Sequence, residues 1–169
     1  MYFWMPQAIR SFSSTYSNAK IGILQCIPSL CGLMAMIIVS RSSDRWRERR
    51  YHVAIPLIVA GIALLLLRTA MSPALSIVWW SFVAIGVSSF SGPFWSLPNE
   101  WLPRACIATG IALINSVGSL GGFFGPIMLG WIVQTKSLLT GLAFAGTSLI
   151  GGATLVLCSV LVGHRRSSV

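Results

Sequence analysis

Acidic side chains are almost missing from this 169-residue sequence. Asp and Glu number 3 against 12 Lys and Arg, and charged residues make up only 9% of the chain. A water-facing domain carries about 25%, so the composition excludes an ordinary soluble surface and points to a bilayer as the solvent. Histidine is scarce too: His52 and His164 are the only two. With Asp44, Glu48 and Glu100 as the only acids, all expected between apolar runs, no nucleophile–base–orienter set can be assembled. An enzyme is therefore not expected. No glycine loop followed by Lys and Ser or Thr is present to cradle a phosphate, and no cofactor is expected. The four cysteines are Cys26, Cys31, Cys106 and Cys158. Even the nearest two stand five apart, which turns them about 140° from each other on a helix. They read as small apolar residues rather than a metal site or a disulfide framework. A signal peptide is not expected either, since no basic flank or small-residue cleavage site accompanies the first apolar residues. The net charge of +9 would suit nucleic acid only on a solvated face. Here five of the twelve basic residues crowd into 41–50 and most others flank apolar runs, so no nucleic-acid partner is expected.

What remains is oil: 55% of residues are hydrophobic. Crossing a hydrocarbon core about 30 Å thick takes about 20 apolar residues at 1.5 Å each. Five stretches are predicted to cross as helices: 21–40, 53–70, 75–95, 106–133 and 138–162. In the second, Arg68 closes the run by snorkelling toward the interface; otherwise none of them contains Asp, Glu, Lys or Arg. The stretch 1–12 is apolar but too short, and reads as the second half of a membrane helix with Met1 as an accidental start. The expected fold is all-α, one membrane domain over 1–163. Alternating spans put four basic residues (Arg10, Lys20, Arg68, Lys136) on one side and eight on the other. The richer side, which holds the 41–51 loop and the C-terminus, is expected to be cytoplasmic.

Polar residues inside spans are functional hypotheses. In 106–133, Asn115, Ser119, Gly122 and Pro126 recur at helical spacing on one face. Gly118 with Gly122, and Gly121 with Gly125, are overlapping small-xxx-small pairs that let another backbone come close. These residues make either a tight helix contact, with Asn115 as interhelical glue, or a substrate-lining face on a helix that Pro126 can bend. Ser88, Ser91, Gly92 and Trp95 form a second stripe, in which Trp95 either anchors at the interface or stacks on a ligand. Gln25, Ser29 and Gly32 form a third. Trp79 and Trp80, near the outer end of their span, read as interfacial belt residues.

Three segments carry a resemblance: Ser43-Asp44-Arg45-Trp46-Arg47-Glu48-Arg49-Arg50, then Gly92-Pro93-Phe94-Trp95-Ser96-Leu97-Pro98-Asn99-Glu100, then the run from Ala108 to Phe123. Together they resemble the anion:cation symporter branch of the major facilitator superfamily, whose members include tartrate, phthalate and hexuronate permeases. Phe3-Trp4-Met5-Pro6-Gln7 is similar to the outer half of that family's seventh helix. The resemblance implies half of a twelve-helix bundle, the C-terminal half only, with five full transmembrane helices and a truncated one. It implies a substrate cavity between two rocking halves. It places Asn115 and Trp95 at that cavity, with Ser119, Ser88 and Gln25 as further candidates. Asp44, Arg45, Arg49 and Arg50 match gating charges of a cytoplasmic loop, and Gly118, Gly121, Gly122, Gly125 and Pro126 fall to helix packing. Departures are Ser40 for the usual motif glycine, Ser119 for a common Asn, and Arg47 where glycine is frequent. The expected function is a secondary transporter, or a fragment of one, in the inner membrane, carrying a small organic anion with proton coupling in the full-length protein. Its expected partners are the lipid bilayer, that anion and a missing N-terminal half. The alternative is a membrane interaction protein that needs a partner half or self-association to form a path.

Overall fold

The computed structural model describes residues 5–6 and 17–164, and no strand occurs among the described residues. Helix α1 is Asn18–Trp46, and α2 is Arg49–Leu66 with a 3-10 turn at Leu67–Thr69. Helices α3 (Pro73–Ser89) and α4 (Ser91–Trp101) follow one another directly. A 3-10 turn at Arg104–Cys106 leads into α5 (Ile107–Thr135), and α6 is Leu138–His164. Taking α3 with α4, these make five helical stretches long and apolar enough to cross a membrane. The stretch 1–12 lies outside the described residues, apart from Met5 and Pro6, which are helical.

Starts are set by local chemistry. Ser17, Ser72 and Ser137 each accept a hydrogen bond from a backbone N–H three residues on, at Lys20, Leu75 and Thr140. This satisfies donors that have no partner in a first helical turn, and Pro73 adds a preset φ at the start of α3.

Ends depart from the apolar runs in two places. Helix α1 does not stop at Ser40 but continues to Trp46, because no residue there opposes helix until Arg47. Asp44 and Arg45 thus lie on the last turns of α1, and Arg49 and Arg50 open α2. The connecting loop is only Arg47 and Glu48, and Arg47 takes φ 52°, a left-handed conformation that ends the helix. The run 75–95 is interrupted at Phe90 and carries on to Trp101. Pro93 has no N–H to give the Ser89 carbonyl, so the ladder cannot run through.

The helices pack in the spatial order α1, α3, α2, α6, α5, with α4 against α2. One core cluster joins Met5, Ile21, Leu64, Leu67, Trp80, Val83 and Leu142; the other joins Val53, Ala54, Leu57, Leu97 and Ala153. Trp80 is thus only 1% exposed and sits inside the bundle rather than in an interfacial belt. At the α2–α6 crossing two glycines face each other. A Cβ on Gly61 would lie 2.7 Å from the Gly146 carbonyl oxygen, and one on Gly146 would lie 2.8 Å from that of Gly61. Backbones this close are what small residues permit in a membrane, where no hydrophobic force draws helices together.

Candidate functional site

Helix α5 differs from the rest of the bundle: none of its residues is buried. Asn115 and Ser119 are exposed, one turn apart, and the Ser119 hydroxyl donates to the Asn115 carbonyl oxygen at 2.8 Å. That bond satisfies the serine within its own helix and leaves the Asn115 amide facing outward. A Cβ placed on Gly118, Gly121, Gly122 or Gly125 would meet nothing within 4 Å. No other described part of this chain packs on the glycine stripe. The close contacts are made instead by glycines that the pair motif did not single out, Gly61, Gly86 and Gly146.

The remaining candidates stand on other helices. Ser88, half-buried on α3, lies against α1: a Cβ on Gly32 would come within 2.8 Å of its hydroxyl oxygen. This contact joins the second and third polar stripes of the sequence into one seam between α1 and α3. Gln25 is half-buried, its carbonyl accepting from Ser29 Oγ at 3.0 Å. With Gly22, Cys26, Ser29, Leu30 and Leu33 it lines an open groove along α1. Trp95 is 39% exposed and meets Phe94 edge-on, ring centres 5.4 Å apart. The candidates are thus spread over α1, α3, α4 and α5 and do not close into one pocket. They are surfaces of a wall.

At the end of the bundle that holds the basic cluster, Arg49 ties two helix ends together. Its Nε donates to Glu100 Oε1 at the end of α4, and its Nη1 lies 3.4 Å from Asp44 Oδ1 at the end of α1. His52 Nδ1 pairs with the Glu48 carbonyl, and Nε2 lies 3.0 Å from Ser42 Oγ. Of the four expected gating charges, this joins Asp44 and Arg49; Arg45 is exposed and Arg50 half-buried, and neither shares those ion pairs. Glu100 was not among the candidates. The signal was available, as an acid at a span end facing a run of arginines across the same interface. Among the described residues no group of His, Cys, Asp and Glu could hold a metal ion.

Several curated proteins are similar in sequence. A protein from Agrobacterium vitis that bears a tartrate-transporter name is 37% identical over 165 residues, covering 98% of this chain and 35% of that protein. A quinolone resistance transporter from Acinetobacter baumannii is 35% identical over 153 residues, 90% of this chain and 35% of the relative. A protein from Pseudomonas putida that bears the metabolite-transport name NicT is 31% identical over 163 residues, 96% of this chain and 36% of its own length. The chain therefore spans about a third of the curated relatives it matches, and the match lies in their C-terminal part. No family model and no solved structure matches the chain.

Proposed function

We propose, starting from the fact that this chain belongs to the major facilitator superfamily of membrane transporters, that it forms one wall of a secondary carrier for a small organic anion. The observation that carries this reading is the stripe Asn115, Ser119, Gly122 and Pro126 on α5. It is polar and small, exposed, and uncovered by the rest of the described chain. An amide in a charge-free span needs a polar partner or water, and a transport path supplies both. The wall carries no acid within its spans to repel an anion. The tartrate-transporter name of a relative 37% identical supports the substrate class. The eight-against-four distribution of basic residues supports an inner-membrane protein with a cytoplasmic C-terminus.

Proton coupling in the whole carrier would need a carboxylate or histidine that titrates inside the membrane. The apolar cores of the five spans hold no carboxylate, Asp44 and Glu100 standing at helix ends, and both histidines stand at span ends too, so we assign that group to the remainder of the carrier. Reconstituted alone in proteoliposomes, this polypeptide is expected to show no saturable, pH-driven accumulation of tartrate. Saturable uptake by the chain alone would refute the assignment. The lack of any buried residue on α5 also favours the second reading, in which the chain acts only once a partner half covers the open face of that helix.

A further inference from the structure

Serines within these helices close mostly on their own backbone. Ser29, Ser81, Ser89 and Ser119 each donate to the carbonyl oxygen four residues earlier, at Gln25, Ile77, Ile85 and Asn115. Ser76 does not. It has no exposed surface, and its buried Oγ has no hydrogen-bond partner among the described residues. Two more buried polar atoms of α3 share that condition, the indole nitrogens of Trp79 and Trp80. Residues three and four beyond Ser76 stand on its face of the helix, one turn on. Long side chains on a helix lean back over the turn before them, which carries both indoles toward Ser76. Phe82 shows the same lean, its ring centred 6.1 Å from that of Trp79, three residues earlier.

Buried polar groups are nearly always bonded, because an unmade bond leaves the desolvation of the group uncompensated. The chemistry of these three atoms says what would satisfy them. An indole N–H only donates, whereas a hydroxyl both donates and accepts. The partner must therefore accept two hydrogen bonds and exchange a third with Ser76. It must be small, since Trp80 is 1% exposed and packs among Ile21, Leu64, Leu67, Val83 and Leu142. It must also be neutral, since none of these neighbours is a cation and a buried anion would stand uncompensated. A water molecule meets all three conditions. It accepts from both indoles and donates to Ser76 Oγ, and three bonds are usual for an internal water. We infer that Ser76, Trp79 and Trp80 hold one buried water molecule near the start of α3, at the end of the bundle opposite Arg49. An indole at a membrane interface gives its N–H to bulk water; inside the bundle it has to retain a molecule of it. This site lies apart from the stripe on α5 and does not depend on the transport reading.

The test is nuclear magnetic resonance of the whole chain in detergent, with nitrogen-labelled tryptophan and the indole signals assigned through Trp79→Phe and Trp80→Phe. In the unaltered chain both indole N–H groups are expected to show a cross-relaxation peak to water. Ser76→Ala is expected to abolish or greatly weaken both peaks, to shift both indole signals and to lower the melting temperature. Ser76→Ala is also expected to cost less in the Trp80→Phe background than in the unaltered chain, because a shared water is already lost there. Absence of the water peaks from the unaltered chain would overturn the inference. So would a higher melting temperature for Ser76→Ala, the outcome for a hydroxyl with no bond to lose, or equal costs in the two backgrounds. If added tartrate displaced both water peaks, the site would be an anion subsite and the assignment to water would be wrong.

Discussion

Replacing Gly61 by alanine tests the packing of this bundle at the α2–α6 crossing. The new Cβ would lie 2.6 Å from Ile150 Cγ1 and 2.7 Å from the Gly146 carbonyl oxygen. The isoleucine can rotate away, but the carbonyl is backbone. An ordinary carbon–oxygen contact is about 3.3–3.6 Å, so α2 and α6 must part by roughly 0.6–0.9 Å. A gap of that size forfeits about a quarter to a half of the dispersion well for each contact along the crossing. Overpacking of this kind costs about 1–3 kcal/mol. Alanine also gains helix propensity over glycine, up to about 1 kcal/mol, which offsets part of that. The control is Gly121→Ala, which meets nothing within 4 Å and keeps the propensity gain alone. Thermal unfolding of the detergent-solubilised chain should therefore rank Gly121→Ala above the unaltered chain, with Gly61→Ala below the control. The gap of 1–3 kcal/mol corresponds to roughly 2–12 °C for a chain of this size. Equal melting temperatures for the two variants would refute the argument, since helix propensity alone would then account for both.

Three further outcomes follow from the same geometry. Arg47→Gly should raise the melting temperature, because a left-handed φ of 52° costs a side-chain-bearing residue about 1–2 kcal/mol that glycine avoids; Arg47→Val should lower it. Arg49→Gln removes both ion pairs at that end of the bundle, yet with Asp44 70% and Glu100 44% exposed it should cost no more than about 1 kcal/mol. Its signature is a wider distance distribution between spin labels on Trp46→Cys and Trp101→Cys, and an unchanged distribution would show that Arg49 does not tie α1 to α4. Asn115→Ala in a carrier completed with its other part should lower tartrate uptake while leaving the amount in the membrane unchanged. Loss of protein with loss of uptake would make the residue interhelical glue.

Much of this protein was legible in residue order. Runs without charge must be helices that bond their own backbone, because lipid offers no other partner; the five membrane-crossing helices followed from that. Helix ends were less legible. Hydropathy marks where the oil stops, whereas a helix stops where its hydrogen-bond ladder is broken, and α1 therefore runs six residues past its apolar stretch.

Which faces meet was decided only by tertiary structure. Gly61 and Gly118 look alike in sequence, each a glycine in an apolar run, yet Gly61 lies against a backbone and Gly118 meets nothing within 4 Å. Trp80 reads as a belt residue and is buried, while Asn115 sits in the midst of oil and is exposed. Composition settles the solvent and the period of each helix. The rotation of one helix against another depends on shape complementarity between residues far apart in the chain, which no local stretch encodes.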